Sequence, residues 1–361
     1  MGSISPGPPS RSRPVRVLIV DDSATMRRLV SGLLEADPLI EVVGTAADPF
    51  IARDKIKKLA PDVLTLDVEM PRMDGVSFLR NLMRLRPMPV VMVSSLTEQG
   101  AGVTLDALAA GAVDFVAKPR VDVEGGLEAY GVELRTKIHN AASTPVARLA
   151  ETVAHPPRGN LSELLDPRRN ARRVLAIGAS TGGTEAIRQV LSVLPAGCPP
   201  VVIAQHIPAA FSTAFAERLD RYSALSVQEA GTDQPLLPGQ AWVAPGGRQL
   251  RVYRNGSGWR CRTTTESSEN GHKPSVDIMF ESMAEHVGRD GSAALLTGMG
   301  SDGARGMLRV RDAGGFTVAQ DQPSSVVWGM PRAAVSLGAA REVVPLDHIA
   351  ERLIGGGENG R

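Results

Sequence analysis

Two groups of residues in this sequence have the types and spacing to do chemistry. The first centres on Gly178-Ala179-Ser180-Thr181-Gly182-Gly183, which follows the apolar run VLAI and precedes a helix-like stretch. This G-x-S-x-G spacing lets glycines turn the chain sharply and lift the Ser180 hydroxyl above a sheet. The helix start beneath it offers free backbone N–H groups, that of Thr181 among them, to an oxyanion. A base must stand close by. Of the six histidines, His139, His155, His206, His272, His286 and His348, only His206 directly follows an apolar strand-like run, VVIAQ. A parallel sheet would bring such a residue to the same carboxyl edge as Ser180. Asp302, in Thr297-Gly298-Met299-Gly300-Ser301-Asp302-Gly303, follows a third such run, AALL, among glycines that let its carboxylate approach an imidazole. Nucleophile, base and orienting acid then occur in the order Ser, His, Asp, and the chemistry is acyl transfer. Plainer readings stay open at this point: Ser180 and Asp302 can each cap a helix, and His206 can be structural.

The second group is acidic. Asp21 and Asp22 follow VRVLIV, Asp67 ends VLTLD, Ser94 follows PVVMV and Lys118 follows DFVA. In an open parallel sheet these strand ends converge, and three crowded carboxylates need protons or a hard divalent cation such as magnesium to offset their repulsion. Bound phosphate oxygens would find a point charge on Lys118 and a hydrogen bond from Ser94, which suggests phosphoryl transfer to Asp67 as nucleophile. Any one of these aspartates alone would be read as a helix cap.

The elements that must position these groups follow from the hydrophobic pattern. Short runs rich in Val, Ile and Leu alternate with amphipathic stretches, first from Val15 to Pro119 and again from Val174 onward, as buried parallel strands with covering helices do. The fold class is α/β, with two doubly wound, mainly parallel sheets. Leu127, Tyr130, Leu134 and Ile138 space one face of a helix closing the first domain, and QLRVYR with GWRCRTTT fits a hairpin through Asn255 to Gly258. Residues 1–14 read as a disordered tail, 15–142 as the first domain, 143–171 as a Pro- and Ser-containing linker with one or two helical turns, 172–355 as the second domain and 356–361 as a loose end. The 361 residues suit two domains better than one.

Composition narrows the function classes. Lys plus Arg number 40 against 39 Asp plus Glu, and aromatics make up 4%, which disfavours a dedicated nucleic-acid binder. Cys198 and Cys261 are too few for a disulfide framework and suit a reducing cytoplasm. No apolar stretch reaches membrane-span length, no signal peptide is visible, and Pro6 stands where a myristoylation motif needs Ser or Thr.

With these motifs in place, Val15 to about Asn140 resembles the receiver domains of two-component response regulators. GASTGG, AQHIP, LTGMGSDG and AQDQPSSVVWGMP, in that order, make residues 172 to about 355 similar to the catalytic domain of the chemotaxis protein-glutamate methylesterases, the CheB family. The resemblance implies a five-stranded receiver followed by a larger, Rossmann-like methylesterase domain. It implies Mg2+ held by Asp22, Asp67 and the carbonyl of Glu69, with Asp21 assisting through water, phosphorylation of Asp67, and Phe115 as the switch aromatic. It adds the backbone N–H of Met299 to that of Thr181 in the oxyanion hole. The implied substrates are glutamyl γ-methyl esters, and by the same acyl-enzyme glutamines, of methyl-accepting chemotaxis receptors, with a chemotaxis-type histidine kinase as phosphodonor and no cofactor for the esterase step. The alternatives are a CheB-type regulator of another pathway and a regulator whose output is binding.

Overall fold

Each Val-, Ile- and Leu-rich run of the first half becomes a parallel strand: β1 (Val15–Val20), β2 (Ile40–Ala46), β3 (Val63–Asp67), β4 (Val90–Ser94) and β5 (Asp114–Ala117). They stand in the order β2-β1-β3-β4-β5. The helices between and after them are α1 (Ala24–Glu35), α2 (Pro49–Leu59), α3 (Gly75–Leu85), α4 (Glu98–Ala109) and α5 (Gly126–Ser143). Local sequence starts several of these. Asp48 accepts from the N–H groups of Phe50 and Ile51 ahead of α2, with Pro49 in the first turn, and Asp74 accepts from Ser77 N ahead of α3. On α5, Tyr130, Leu134 and Ile138 are buried, while Leu127, at the open start of the helix, is exposed.

The computed structural model describes residues 13–71, 73–95, 97–119, 126–145, 161–256 and 258–356. Most of the expected tail, residues 146–160 of the expected linker and the last five residues lie outside these. Within the expected tail, Arg13 is held: its guanidinium donates to both oxygens of Asp62, at 2.7 and 2.9 Å. The described part of the expected linker carries a 3-10 turn (Leu161–Leu164) and the short α6 (Pro167–Asn170), and buries Leu161 and Asn170. Among the described residues no helix is long and apolar enough to cross a membrane.

The second half supplies β6 (Val174–Ala179), α7 (Gly183–Val193), β7 (Val201–Gln205), α8 (Ala209–Arg221), β8 (Ser226–Glu229), β9 (Asp233–Pro235) and β10 (Gln240–Val243). Then come β11 (Gln249–Asn255), β12 (Gly258–Thr264), α9 (Val276–His286), β13 (Gly291–Leu295), α10 (Ala304–Asp312), β14 (Phe316–Gln320), α11 (Met330–Ser336), β15 (Glu342–Val344) and α12 (Leu346–Gly355). Seven strands form a parallel sheet in the order β15-β14-β13-β6-β7-β10-β8. The expected hairpin forms from β11 and β12, yet it leaves this sheet and pairs antiparallel with β9 in a separate three-stranded one. Strand order reverses at β6, whose neighbours are β13 and β7, so a crevice opens beyond its carboxyl end. Cys198 and Cys261 are free and buried, and burial pushes both thiols up to about 12.

The two domains meet through α4, which packs on α7 and α8. Phe115 of β5 lies 4.5 Å, centroid to centroid, from Phe211 of α8, and Arg218 of α8 pairs with Asp106 of α4. All three tryptophans lie in the second domain, so their fluorescence follows that domain. Phe215 on α8 is fully buried. Its truncation to Ala is expected to cost about 3–5 kcal/mol and to shift the tryptophan-monitored urea midpoint downward; an unchanged midpoint contradicts this packing.

Candidate functional site

The crevice beyond β6 holds the first group of residues. Ala179 pairs with Gln205 in the β6–β7 register, and His206 N donates to the carbonyl of Ala179 at 3.1 Å, so Ser180 and His206 leave the sheet side by side. From the other flank Thr297 accepts from Ser180 N at 3.0 Å. Gly298 is required there, because a Cβ on it would lie 2.8 Å from Ser180 Cβ and 2.4 Å from Met330 Sδ. Ser180 is half-buried, and its Oγ makes no hydrogen bond among the described residues.

His206 Nε2 lies 2.8 Å from Asp302 Oδ2. A carboxylate only accepts, so Nε2 carries the proton and Nδ1 keeps the lone pair for a nucleophile. Asp302 is 1% exposed and also accepts from Ser275 Oγ (2.8 Å), Val276 N (2.7 Å) and Asp277 N (3.2 Å), the last two at the start of α9. Burial works against its charge, but His206, Val276 N–H and Ser275 outweigh it and hold the carboxyl at about 2. Gly303, at φ 88°, turns the chain straight after it.

Thr181 is buried and clamped. Its carbonyl accepts from Thr297 Oγ1 at 2.9 Å, and its hydroxyl donates to Asp114 Oδ2 of the first domain at 2.6 Å. Met299 is 43% exposed, and its sulfur accepts from Asn140 of α5. Among the described residues the backbone N–H groups of Thr181 and Met299 have no hydrogen-bond partner. Asp114 also pairs with Lys137 at 3.3 Å and sits beside Phe115, whose ring that ammonium overlies. Sequence reasoning missed Asp114, Asn140, Ser275 and Gln249, since their contacts span distant segments and no local motif marks them. Of the other histidines, His139 meets Asp37, His286 and His348 lie beside glutamates, His155 lies outside the described residues, and His272 stacks on His206.

The acidic residues also converge. Asp21, Asp22 and Asp67 bring carboxylate oxygens within 4.8 Å of one another. Lys118 Nζ lies 2.8 Å from Asp67 and 3.6 Å from Asp21. Burial raises Asp67 to about 6 despite Lys118, and raises Asp21 as well. Glu69 donates its N–H to Asp67 at 3.2 Å, while its exposed side chain accepts from Ser95 Oγ at 3.0 Å. Ser94 is buried and turned toward α4: Thr104 donates to its hydroxyl at 2.7 Å, and that hydroxyl donates to the carbonyl of Ser95.

Residues 17–125 match the response regulator receiver domain and residues 175–353 the CheB methylesterase. The chain is 57% identical over 348 residues to "Protein-glutamate methylesterase/protein-glutamine glutaminase 1" of Xanthomonas campestris pv. campestris, covering 94% of this chain and 97% of that one. The chain belongs to the CheB protein-glutamate methylesterase family. A Pseudomonas aeruginosa member, "Protein-glutamate methylesterase/protein-glutamine glutaminase 2", is 52% identical over 341 residues, covering 94% and 96%. The Thermotoga maritima CheB methylesterase catalytic domain is 34% identical, with a TM-score of 0.49, and covers 50% of this chain and 97% of its own. The response regulator domain of Thermotoga maritima CheB is 43% identical, with a TM-score of 0.34, and covers 37% and 99%.

A receiver domain implies magnesium at an acidic site, and the donors here fit: hard carboxylate oxygens from three residues, with Asp67 buried and the single ammonium of Lys118 beside them. Folded Asp67 keeps its proton up to about pH 6, whereas unfolded it releases it near 3.8, so its contribution to stability falls as pH climbs between these values. Magnesium at pH 7.5 is therefore expected to raise the temperature of the receiver's calorimetric transition, less so at pH 5 where protons compete, and least in Asp67→Asn. An equal rise at both pH values, or an undiminished rise in the variant, contradicts the cation site.

Proposed function

We propose that the protein is a phosphorylation-regulated serine hydrolase that removes methyl groups, as methanol, from glutamyl γ-methyl esters of methyl-accepting chemotaxis receptors. The observation that carries this reading is the ordered set at the end of β6: a Ser180 hydroxyl with no hydrogen bond among the described residues, beside His206, whose Nε2 is held by a charged Asp302. Ser180 Oγ attacks the ester carbonyl and His206 Nδ1 takes its proton. The N–H groups of Thr181 and Met299 receive the developing oxyanion. His206 returns the proton to the departing methoxide, giving methanol and an acyl-enzyme. Water, deprotonated by His206, then releases free glutamate and restores Ser180. A glutamine side chain would follow the same route with ammonia leaving. This complete arrangement weighs against a domain that merely binds.

In the receiver, Asp22, Asp67 and the Glu69 carbonyl would hold magnesium, with Asp21 assisting, and the ion when bound neutralises the carboxylates and incoming phosphate oxygens. The Asp67 carboxylate accepts a phosphoryl group, from a chemotaxis-type histidine kinase. Lys118 follows it as the paired cation, and Ser94 trades its bond with Thr104 for the phosphoryl oxygen. Phe115 and Asp114, next to each other on β5, transmit the change. The receiver touches both residues of the oxyanion hole, through Asp114 on Thr181 and Asn140 on Met299, so the unphosphorylated state restrains the loops that must meet substrate. The cytoplasm is the compartment in which this substrate face of a receptor is found.

Methanol release from a methyl-labelled receptor fraction is expected to rise when magnesium and a small phosphodonor are added, to lose that rise in Asp67→Ala, and to vanish in Ser180→Ala. Asp302→Asn, which leaves His206 in the wrong tautomer, is expected to lower kcat by about a thousandfold or more. Turnover retained in Ser180→Ala overturns the nucleophile assignment.

A further inference from the structure

The crevice holds a second imidazole. His272 lies face to face with His206, ring centroids 4.0 Å apart and planes inclined by 18°. Its loop is firmly placed. Gln249, fully buried at the start of β11, donates from Nε2 to the carbonyl of His272 at 2.9 Å and accepts at Oε1 from Ser275 N at 2.7 Å. Ser268 Oγ donates to the same His272 carbonyl at 2.8 Å. Ser275 and Val276, at the end of that stretch, are the donors already seen on Asp302. One segment, residues 272–276, therefore contacts both the base and its orienting acid.

We infer that His272 is a positioning residue: its neutral ring, laid on one face of His206, confines the catalytic imidazole to the plane in which Nε2 meets Asp302 and Nδ1 faces Ser180. This rests on the assignment of Ser180, His206 and Asp302 given above. The terminal torsion of a histidine is broad, and Asp302 fixes only one ring nitrogen, so the ring can still rock about that bond. A stacked neighbour removes the rocking. It also shields the positive charge that His206 acquires as Ser180 attacks, and a neutral aromatic face favours such a charge.

The stack works only while His272 is uncharged, because a second imidazolium 4.0 Å from the first would repel it. Although His272 is exposed overall, desolvation of its covered face comes first, and the charge His206 can carry second, in holding it below the usual histidine range; Asp302 pulls the other way. Among the described residues, His206 and Asp302 are the titratable groups that bear on it. Neighbouring Lys273 directs its ammonium to the carbonyl of Thr265 at 3.0 Å.

The test uses the full chain with phosphodonor and magnesium, and follows methanol release from a methyl-labelled receptor fraction in parent, His272→Ala, His272→Phe and Ser180→Ala. His272→Ala is expected to lose roughly tenfold to a hundredfold in kcat with little change in KM, the scale of a mispositioned catalytic group. His272→Phe, which keeps a ring on His206, is expected to recover most of kcat. Tryptophan-monitored unfolding checks that both variants fold. Parental kcat in His272→Ala overturns the proposal, as does a folded His272→Phe no better than His272→Ala. Activity retained in Ser180→Ala instead overturns the underlying assignment, and the role of His272 with it.

Discussion

A single buried charge organises the esterase half. Asp302 is nearly solvent-free, so its carboxylate survives only because four donors converge on it: the imidazole of His206, the hydroxyl of Ser275 and the first backbone N–H groups of α9. Those donors come from two separate stretches of chain, and Asp302 itself from a third. Satisfying the charge therefore ties the end of β7, the loop before α9 and the turn after β13 to one point. The tautomer of His206 follows from that, since the nitrogen facing a carboxylate must carry the proton. So does the seat of Ser180, which shares the sheet edge with His206 and Thr297.

The same economy of position links the two domains. Thr181 and Met299, whose backbone N–H groups have no hydrogen-bond partner among the described residues, are also the residues that Asp114 and Asn140 of the receiver touch. Asp114 adjoins Phe115, and Phe115 packs on Phe211 at the start of α8. Lys118, a few residues on, is bonded to Asp67. Asp67 is thus linked to Thr181 by two hydrogen bonds and the length of β5 between them. Such a switch needs only a modest difference in how the receiver face grips the esterase in its two states.

Much of this was legible in the sequence where information is local. The parallel strands showed as apolar runs, and Ser180, His206, Asp302, Asp21, Asp22, Asp67 and Lys118 showed because each follows such a run, where strand ends in a doubly wound sheet must gather. What stayed hidden depends on tertiary contact. The strand β9, three residues ending in Pro235, has too little pattern to reveal that it draws the β11–β12 hairpin away from the main sheet. Asp114 reads as one more strand residue until Thr181 is seen against it. Ser94 reveals its type in sequence but not that Thr104 holds its hydroxyl, and His272 sits in a polar loop whose path is set by Gln249.

The coupling of receiver to nucleophile can be measured without any receptor. The rate at which a fluorophosphonate labels the protein, with the modified residue identified by mass spectrometry, reports the reactivity of the serine and of the oxyanion hole together. The adduct should fall on Ser180, slowly in the unphosphorylated chain and several-fold faster once magnesium and a phosphodonor have acted on Asp67. An adduct elsewhere, or a Ser180 rate indifferent to phosphorylation, would contradict a receiver that restrains the active site.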